Sequence, residues 1–134
     1  MACERATADD LAAITDLHEQ IAECEPDDPQ IVELNRRFHW RIYEACRVPL
    51  LLTLIRQTWS AISGGPQVIW RPHEESVAQH AAMVEALRDR DGVRMAELTR
   101  IHIEGAVEHM QKALHSDRVA QKADLDAAPP TAAR

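Results

Sequence analysis

An all-α, antiparallel helical bundle of about five to six helices is the fold class this sequence predicts, on three observations. Ala, Leu, Glu, Arg and Gln dominate its 134 residues, whereas only four Gly and no run of Val, Ile, Thr and aromatic residues are present, a balance that favours helix over strand. Apolar residues recur at three- and four-residue steps through several stretches. Breaks rich in Pro, Gly and Asp separate those stretches at lengths typical of connected helices. Hydrophobic residues make up 46% of the chain, enough for one packed core in one domain. No internal repeat is found.

Residues 1–6 read as a tail. Thr7 is a good N-cap, and Asp9 and Asp10 follow in the first turn, where the helix dipole favours acids. The predicted helix runs to about Glu23, with Leu11, Ile14, Leu17 and Ile21 as its apolar stripe. The segment EPDDP (25–29) breaks it. The next stretch, IVELNRRFHWRIYEACR (31–47), places Ile31, Leu34, Phe38, Ile42 and Ala45 on one face. Asn35 and His39, four residues apart, border that face one turn from each other. Pro49 suits the first turn of a further helix, about 49–62, with Leu50, Leu51, Leu54, Ile55 and Thr58 expected inward. Gly64, Gly65 and Pro66 stop it, and 65–73 is read as a loop carrying Trp70 and Pro72. A helix over 73–88 follows, with Val77, Ala81, Val84 and Leu87 facing the core and His80 in their midst. DRDG (89–92) is a turn, with Asp91 an acid at the start of the next helix. The last helix spans about 92–115. Its inner face is Met95, Leu98, Ile101 or His102, Ala106, Met110 and Ala113. The bundle is thus assigned to 1–116 and a disordered tail to 117–134, where the apolar pattern decays.

Charge and cysteine content narrow the function. The net charge is −7, and no Lys/Arg cluster is long enough to track a phosphate backbone, so no direct nucleic-acid binding by these residues is expected. No helix has the strongly basic face of a membrane-surface element, and the longest apolar run, about Pro49–Leu52, is too short for a span. Cys3, Cys24 and Cys46 are odd in number and form no CxxC, which reads as reduced thiols. With an acidic, polar start in place of a basic-then-apolar leader, the expected location is the cytoplasm.

Of the seven histidines, His18, His73 and His115 fall on exposed-looking positions and His109 is ambiguous. His39, His80 and His102 each sit on or beside the core stripe of a different long helix. Imidazole is the commonest metal ligand, and bundle interiors build metal sites from facing helices. Three such nitrogens suit a divalent metal, zinc first, with nickel, cobalt or iron(II) as alternatives, and they leave coordination positions open.

The segment LNRRFHWRIYEA resembles the D-x-x-F-H helix of the FCD domain, the effector-binding half of FadR-type GntR transcription regulators. VAQHAAMVEALRDRDGVRMAELTRIHI resembles that family's second histidine signature, including the twenty-two-residue step from His80 to His102. ERATADDLAAI resembles its E-R-A-T-x-E-D-L helix start. The likeness runs from about Cys3 to Leu114. It implies an FCD-like antiparallel bundle, and a divalent metal, manganese included, on one Asp and three His. Its effectors are small carboxylates. His39, His80 and His102 match the three histidines. Asn35 stands where the family has Asp, a neutral and weaker oxygen donor that either ligates or hydrogen-bonds what the metal holds. Arg56 and Trp59 lie on the helix that lines the family's pocket, Arg56 suited to pair with a carboxylate and Trp59 to form core or wall. A homodimer is implied, and DNA contact only through a winged helix-turn-helix outside this chain. The family's first helix would fall ahead of Met1, leaving an apolar groove for a partner subunit or the tail to cover.

The function expected is effector sensing and dimerisation, without catalysis. A metal-free helical dimerisation module is the alternative. A metal-dependent hydrolase is a further one, against which stand the missing HExxH and HD motifs and the outer-face position of Glu85.

Overall fold

The computed structural model describes residues 1–62 and 73–127 and contains six helices and no strand among them. They are α1 (Ala2–Arg5), α2 (Ala8–Glu23), α3 (Gln30–Ala45), α4 (Pro49–Ile62), α5 (His73–Arg88) and α6 (Gly92–Ala127). The all-α bundle expected from the sequence is what forms. α2 packs on both α3 and α5, and α5 packs on α6. Short connections make α2–α3 and α5–α6 antiparallel neighbours. The predicted stop at Gly64–Pro66 and the loop with Trp70 and Pro72 lie outside the described residues, as does the final part of the expected tail, 128–134.

α2 begins where Thr7 was expected to cap it, and the cap is reciprocal. Thr7 Oγ1 accepts from the Asp10 backbone N–H at 3.1 Å, and the Asp10 carboxylate accepts from the Thr7 N–H at 2.9 Å. This closes two of the open donors of the first turn. Ile14, Leu17 and Ile21 are buried, with Leu11 packed against them. α3 buries Ile31, Leu34, Phe38, Ile42 and Ala45, the stripe read from the sequence, and His39 beside it. α5 buries a wider face than predicted. Ser76, Met83 and Ala86 join His80, Val84 and Leu87, while Val77 and Ala81 are half-buried.

Three expectations are corrected. Residues 1–6 are not a tail: Ala2, Cys3 and Ala6 are core residues, and α1 touches α3, α5 and α6. Small side chains at 2, 3 and 6 let a four-residue helix fit between helix ends, a signal too short for a periodicity reading. α4 does not turn Leu50 and Leu54 inward: they are 71% and 52% exposed, and none of residues 49–60 is buried. An amphipathic stripe says only that one face seeks cover, not that the same chain supplies it. The last helix, predicted to end near His115, continues to Ala127. Polar Ala-, Gln-, Lys- and Asp-rich sequence can hold a helix without an apolar stripe, because propensity alone permits it.

Two helix ends share one device. After α3, Arg47 takes φ 54°, and after α5, Arg90 takes φ 60°, the left-handed conformation. At α5 the Asp91 N–H reaches the Ala86 carbonyl at 2.9 Å and the Arg90 N–H that of Leu87 at 3.2 Å, a Schellman closure usually built on Gly. Gly92 instead opens α6, behind Asp91, whose carboxylate accepts from the Arg94 N–H at 2.9 Å.

Both arginines are also clamps. The Arg47 guanidinium donates to the Asp10 carboxylate at 2.6 Å. Arg90 donates to the carbonyls of Cys3 and Ala6, each at 3.0 Å, satisfying the open end of α1. Arg5 donates in turn to the Cys46 carbonyl at 2.9 Å. α1 is thus tied to the C-terminal ends of α3 and α5.

Candidate metal centre

His39 is placed by α3, His80 by α5 and His102 by α6. Each follows from the local pattern. His39 adjoins Phe38, which is wholly buried at the centre of the α3 stripe. His80 lies in the middle of the α5 face. On α6 the choice between Ile101 and His102 is settled by rotation of the helix: Ile101 is 42% exposed, while His102 turns toward α5.

The three imidazoles form a nearly equilateral triangle. Ring centroids are 5.0 Å apart for His39–His80, 4.8 Å for His39–His102 and 5.0 Å for His80–His102. Their ligating nitrogens all lie within 4.8 Å of one another. A metal at about 2.1 Å from each nitrogen lies about 3.2 Å from each ring centre, so angles between octahedral and tetrahedral put centroids about 4.5–5.2 Å apart. The observed sides fall in that interval. The residues therefore fit a divalent metal.

Burial favours the same reading. His80 is fully buried, His39 is 8% exposed, and His102 is half-buried at the rim. The His80 ring lies 4.3 Å from that of Phe38, which also touches His39 at 5.2 Å edge to face. Phe38 thus forms an apolar floor beneath two of the rings and fixes their planes. At the rim, Gln79 Oε1 lies 2.8 Å from His102 Nδ1. Gln79 Nε2 donates to Glu75 at 3.2 Å.

The other candidates are placed differently. Asn35 is half-buried on α3, one turn before His39. Arg56 is exposed and stands 5.2 Å over the Trp40 ring, a cation–π contact. Trp59 is half-buried and meets Tyr43 edge to face at 6.4 Å, and Tyr43 in turn lies 6.4 Å from His39. Trp59 is therefore linked to the triangle through one ring, and Arg56 through two, since Trp40 meets Tyr43 edge to face at 6.4 Å. His18, read as exposed, is half-buried: its ring is 6.5 Å from Phe38, and its Nδ1 has no hydrogen-bond partner among the described residues. Burial pushes its pKa down. It follows Leu17 and lies four residues from Ile14, so the inner face of α2 is one residue wider than the stripe suggested. His109 Nδ1 is engaged by the Gly105 carbonyl at 2.8 Å. The three thiols are free, and Cys3 is buried, which pushes its pKa up.

The fold and the site define a class: an all-α bundle carrying three convergent histidines on three helices. The family model described as FCD domain matches residues 1–105, and this chain belongs to that family. It is also similar to the HTH-type transcriptional regulator McbR of Escherichia coli (strain K12), 29% identical over 114 residues, covering 77% of this chain and 52% of the relative. The chain thus spans about half the length of the curated relative it matches. No solved structure matches it. No helix among the described residues is long and apolar enough to cross a membrane.

Proposed function

We propose that this chain is the effector-sensing and dimerisation part of a GntR-type transcription regulator, in which His39, His80 and His102 hold a divalent metal that receives a small organic acid. The observation that carries the reading is the triangle of imidazoles, two of them buried and His102 half-buried, with sides of 4.8–5.0 Å. Three neutral nitrogen ligands leave the ion's double charge uncompensated. Bound there, a divalent cation would supply positive charge and open positions to which a carboxylate can attach.

The chain's own residues do the rest. The three rings set the ligand geometry, Phe38 keeps water from beneath them, and Asn35 offers a neutral amide where the family carries a carboxylate. That neutrality weakens the hold on the ion and raises the pull on an anionic effector. Membership in the FCD family and the likeness to a transcriptional regulator support sensing. DNA is then read by a winged helix-turn-helix lying outside these residues, and the setting is the cytoplasm. The exposed Leu50 and Leu54 of α4 are the surface a second copy covers in the homodimer.

Elemental analysis of protein purified without chelators or metal-affinity tags tests this, together with melting curves before and after chelation. The expected result is close to one zinc, nickel, iron or manganese per chain. At a hundredfold excess of metal over Kd, chelation removes about 2.7 kcal/mol, a fall in Tm of roughly 8–13 °C for a chain of this length. His80→Ala abolishes both the metal and the shift. Small carboxylic acids then bind the metal-loaded form in calorimetry and not the stripped form. Absence of metal, with no response to added zinc or nickel, overturns the metal reading and leaves a metal-free dimerisation module.

A further inference from the structure

We infer that Gln79, held by Glu75, is a positioning residue that makes His102 an Nε2 ligand. The inference rests on the metal reading of the three-histidine group and assigns a role to residues outside it.

The contact between Gln79 Oε1 and His102 Nδ1 is 2.8 Å. A carboxamide oxygen can only accept, so Nδ1 must carry the ring proton. The amide orientation is not free. Gln79 Nε2 donates to Glu75 Oε1 at 3.2 Å, one turn back on the same helix. Turning the amide over would set its oxygen against the Glu75 carboxylate, acceptor against acceptor. Glu75 therefore fixes the amide, and the amide fixes the tautomer. With Nδ1 protonated, the only lone pair in the plane of the ring is at Nε2, and that is the atom left to ligate. The ring is also held against rotation, because its Nδ1–H is tethered to α5.

The layout suits this task. Gln79 precedes His80 on α5, so one helix supplies one ligand directly and orients a second across the α5–α6 interface. His102 is the half-buried member of the three. It has the most to gain from a tether, because Phe38 packs against the other two rings. Partners that hold the far nitrogen of a metal-bound imidazole typically matter by about 10–100-fold in affinity.

The test compares wild type, Gln79→Ala and the double variant Glu75→Gln with Gln79→Glu in two measurements. Long-range ¹H–¹⁵N correlation on the metal-free proteins reads the tautomer of each imidazole. Competition with a chromophoric chelator reads the zinc affinity. In wild type His102 is expected as the Nδ1–H form. In Gln79→Ala that form is lost and zinc binds about 10–100-fold more weakly. Glu75→Gln combined with Gln79→Glu, in which position 79 still accepts from Nδ1–H and the amide at position 75 donates to it, restores both. Melting of the metal-free Gln79→Ala protein close to wild type confirms an intact fold. An unchanged tautomer in Gln79→Ala overturns the proposal, and so does an unchanged affinity. Should wild type take no zinc at all, the metal reading fails on its own. The proposal is then judged by the tautomer alone: dependence of the Nδ1–H form on Gln79 supports it, and independence overturns it.

Discussion

Replacing Asp10 by Ala removes the most heavily engaged carboxylate described in the fold. Its Oδ2 accepts from the Thr7 N–H at 2.9 Å, from Thr7 Oγ1 at 2.9 Å and from Arg47 Nη2 at 2.6 Å, while the side chain is only 7% exposed. Loss of the return half of a capping box costs about 1 kcal/mol. The Arg47 bond is charge-assisted, but the guanidinium is 49% exposed, so solvent screening limits it to about 0.5–1 kcal/mol. Together the substitution is expected to cost about 2 kcal/mol, or roughly 6–10 °C in Tm for a chain of this length. A double-mutant cycle with Arg47→Ala should return the Arg47 share as coupling. The pH dependence checks the cause. The Asp10 pKa is held below its ordinary value, first by the Thr7 backbone N–H and then by the Thr7 hydroxyl and Arg47. A depressed carboxylate stabilises fully above its unfolded value, about 3.9, and that contribution disappears as pH falls through the folded value. Urea melts of wild type and Asp10→Ala should therefore differ by a constant amount above about pH 5 and converge below about pH 4. A difference under 0.5 kcal/mol at pH 7, or one that persists unchanged into acid, would refute the reasoning.

Two further outcomes are expected. Arg90→Ala removes the donors to the Cys3 and Ala6 carbonyls. Hydrogen exchange of the Arg5 and Ala6 amides, which donate to the Met1 and Ala2 carbonyls, should then accelerate strongly, with a global cost of about 1–2 kcal/mol. Protection of those amides equal to wild type would show that packing alone holds α1. Leu50→Glu combined with Leu54→Glu touches side chains 71% and 52% exposed, so the stability of a dilute monomer should move by no more than about 0.5 kcal/mol. Sedimentation equilibrium should instead show a weakened dimer, and unchanged association would place the interface elsewhere.

The legible parts were those with a repeating apolar signal. The stripes of α2 and α3 come through because most of their core positions are large aliphatic or aromatic side chains, whereas the buried Asp10 and half-buried His18 of α2 carry no apolar signal. The three histidines were legible for the same reason: each interrupts such a stripe, and the likeness to the FCD family placed them together. The rest lies where periodicity carries no information. α1 is four residues long and packs through Ala and Cys. The two clamps pair residues thirty-seven and more than eighty positions apart, and arginine at a left-handed helix end leaves no mark in composition. Gln79 is a common polar residue on a helix flank, and only the fold brings it to His102.

The clamps join distant parts of the molecule mechanically. His39 stands about 10 Å along α3 from Cys46, and His80 about 12 Å along α5 from the end of that helix, at 1.5 Å per residue. Both lengths are stiff rods. At their common end, Arg5 grips the carbonyl of Cys46 and Arg90 grips those of Cys3 and Ala6. The ends of the two helices that carry His39 and His80 are therefore laced to each other through α1, so that the spacing of those ends is set by three hydrogen-bonded carbonyls as well as by packing.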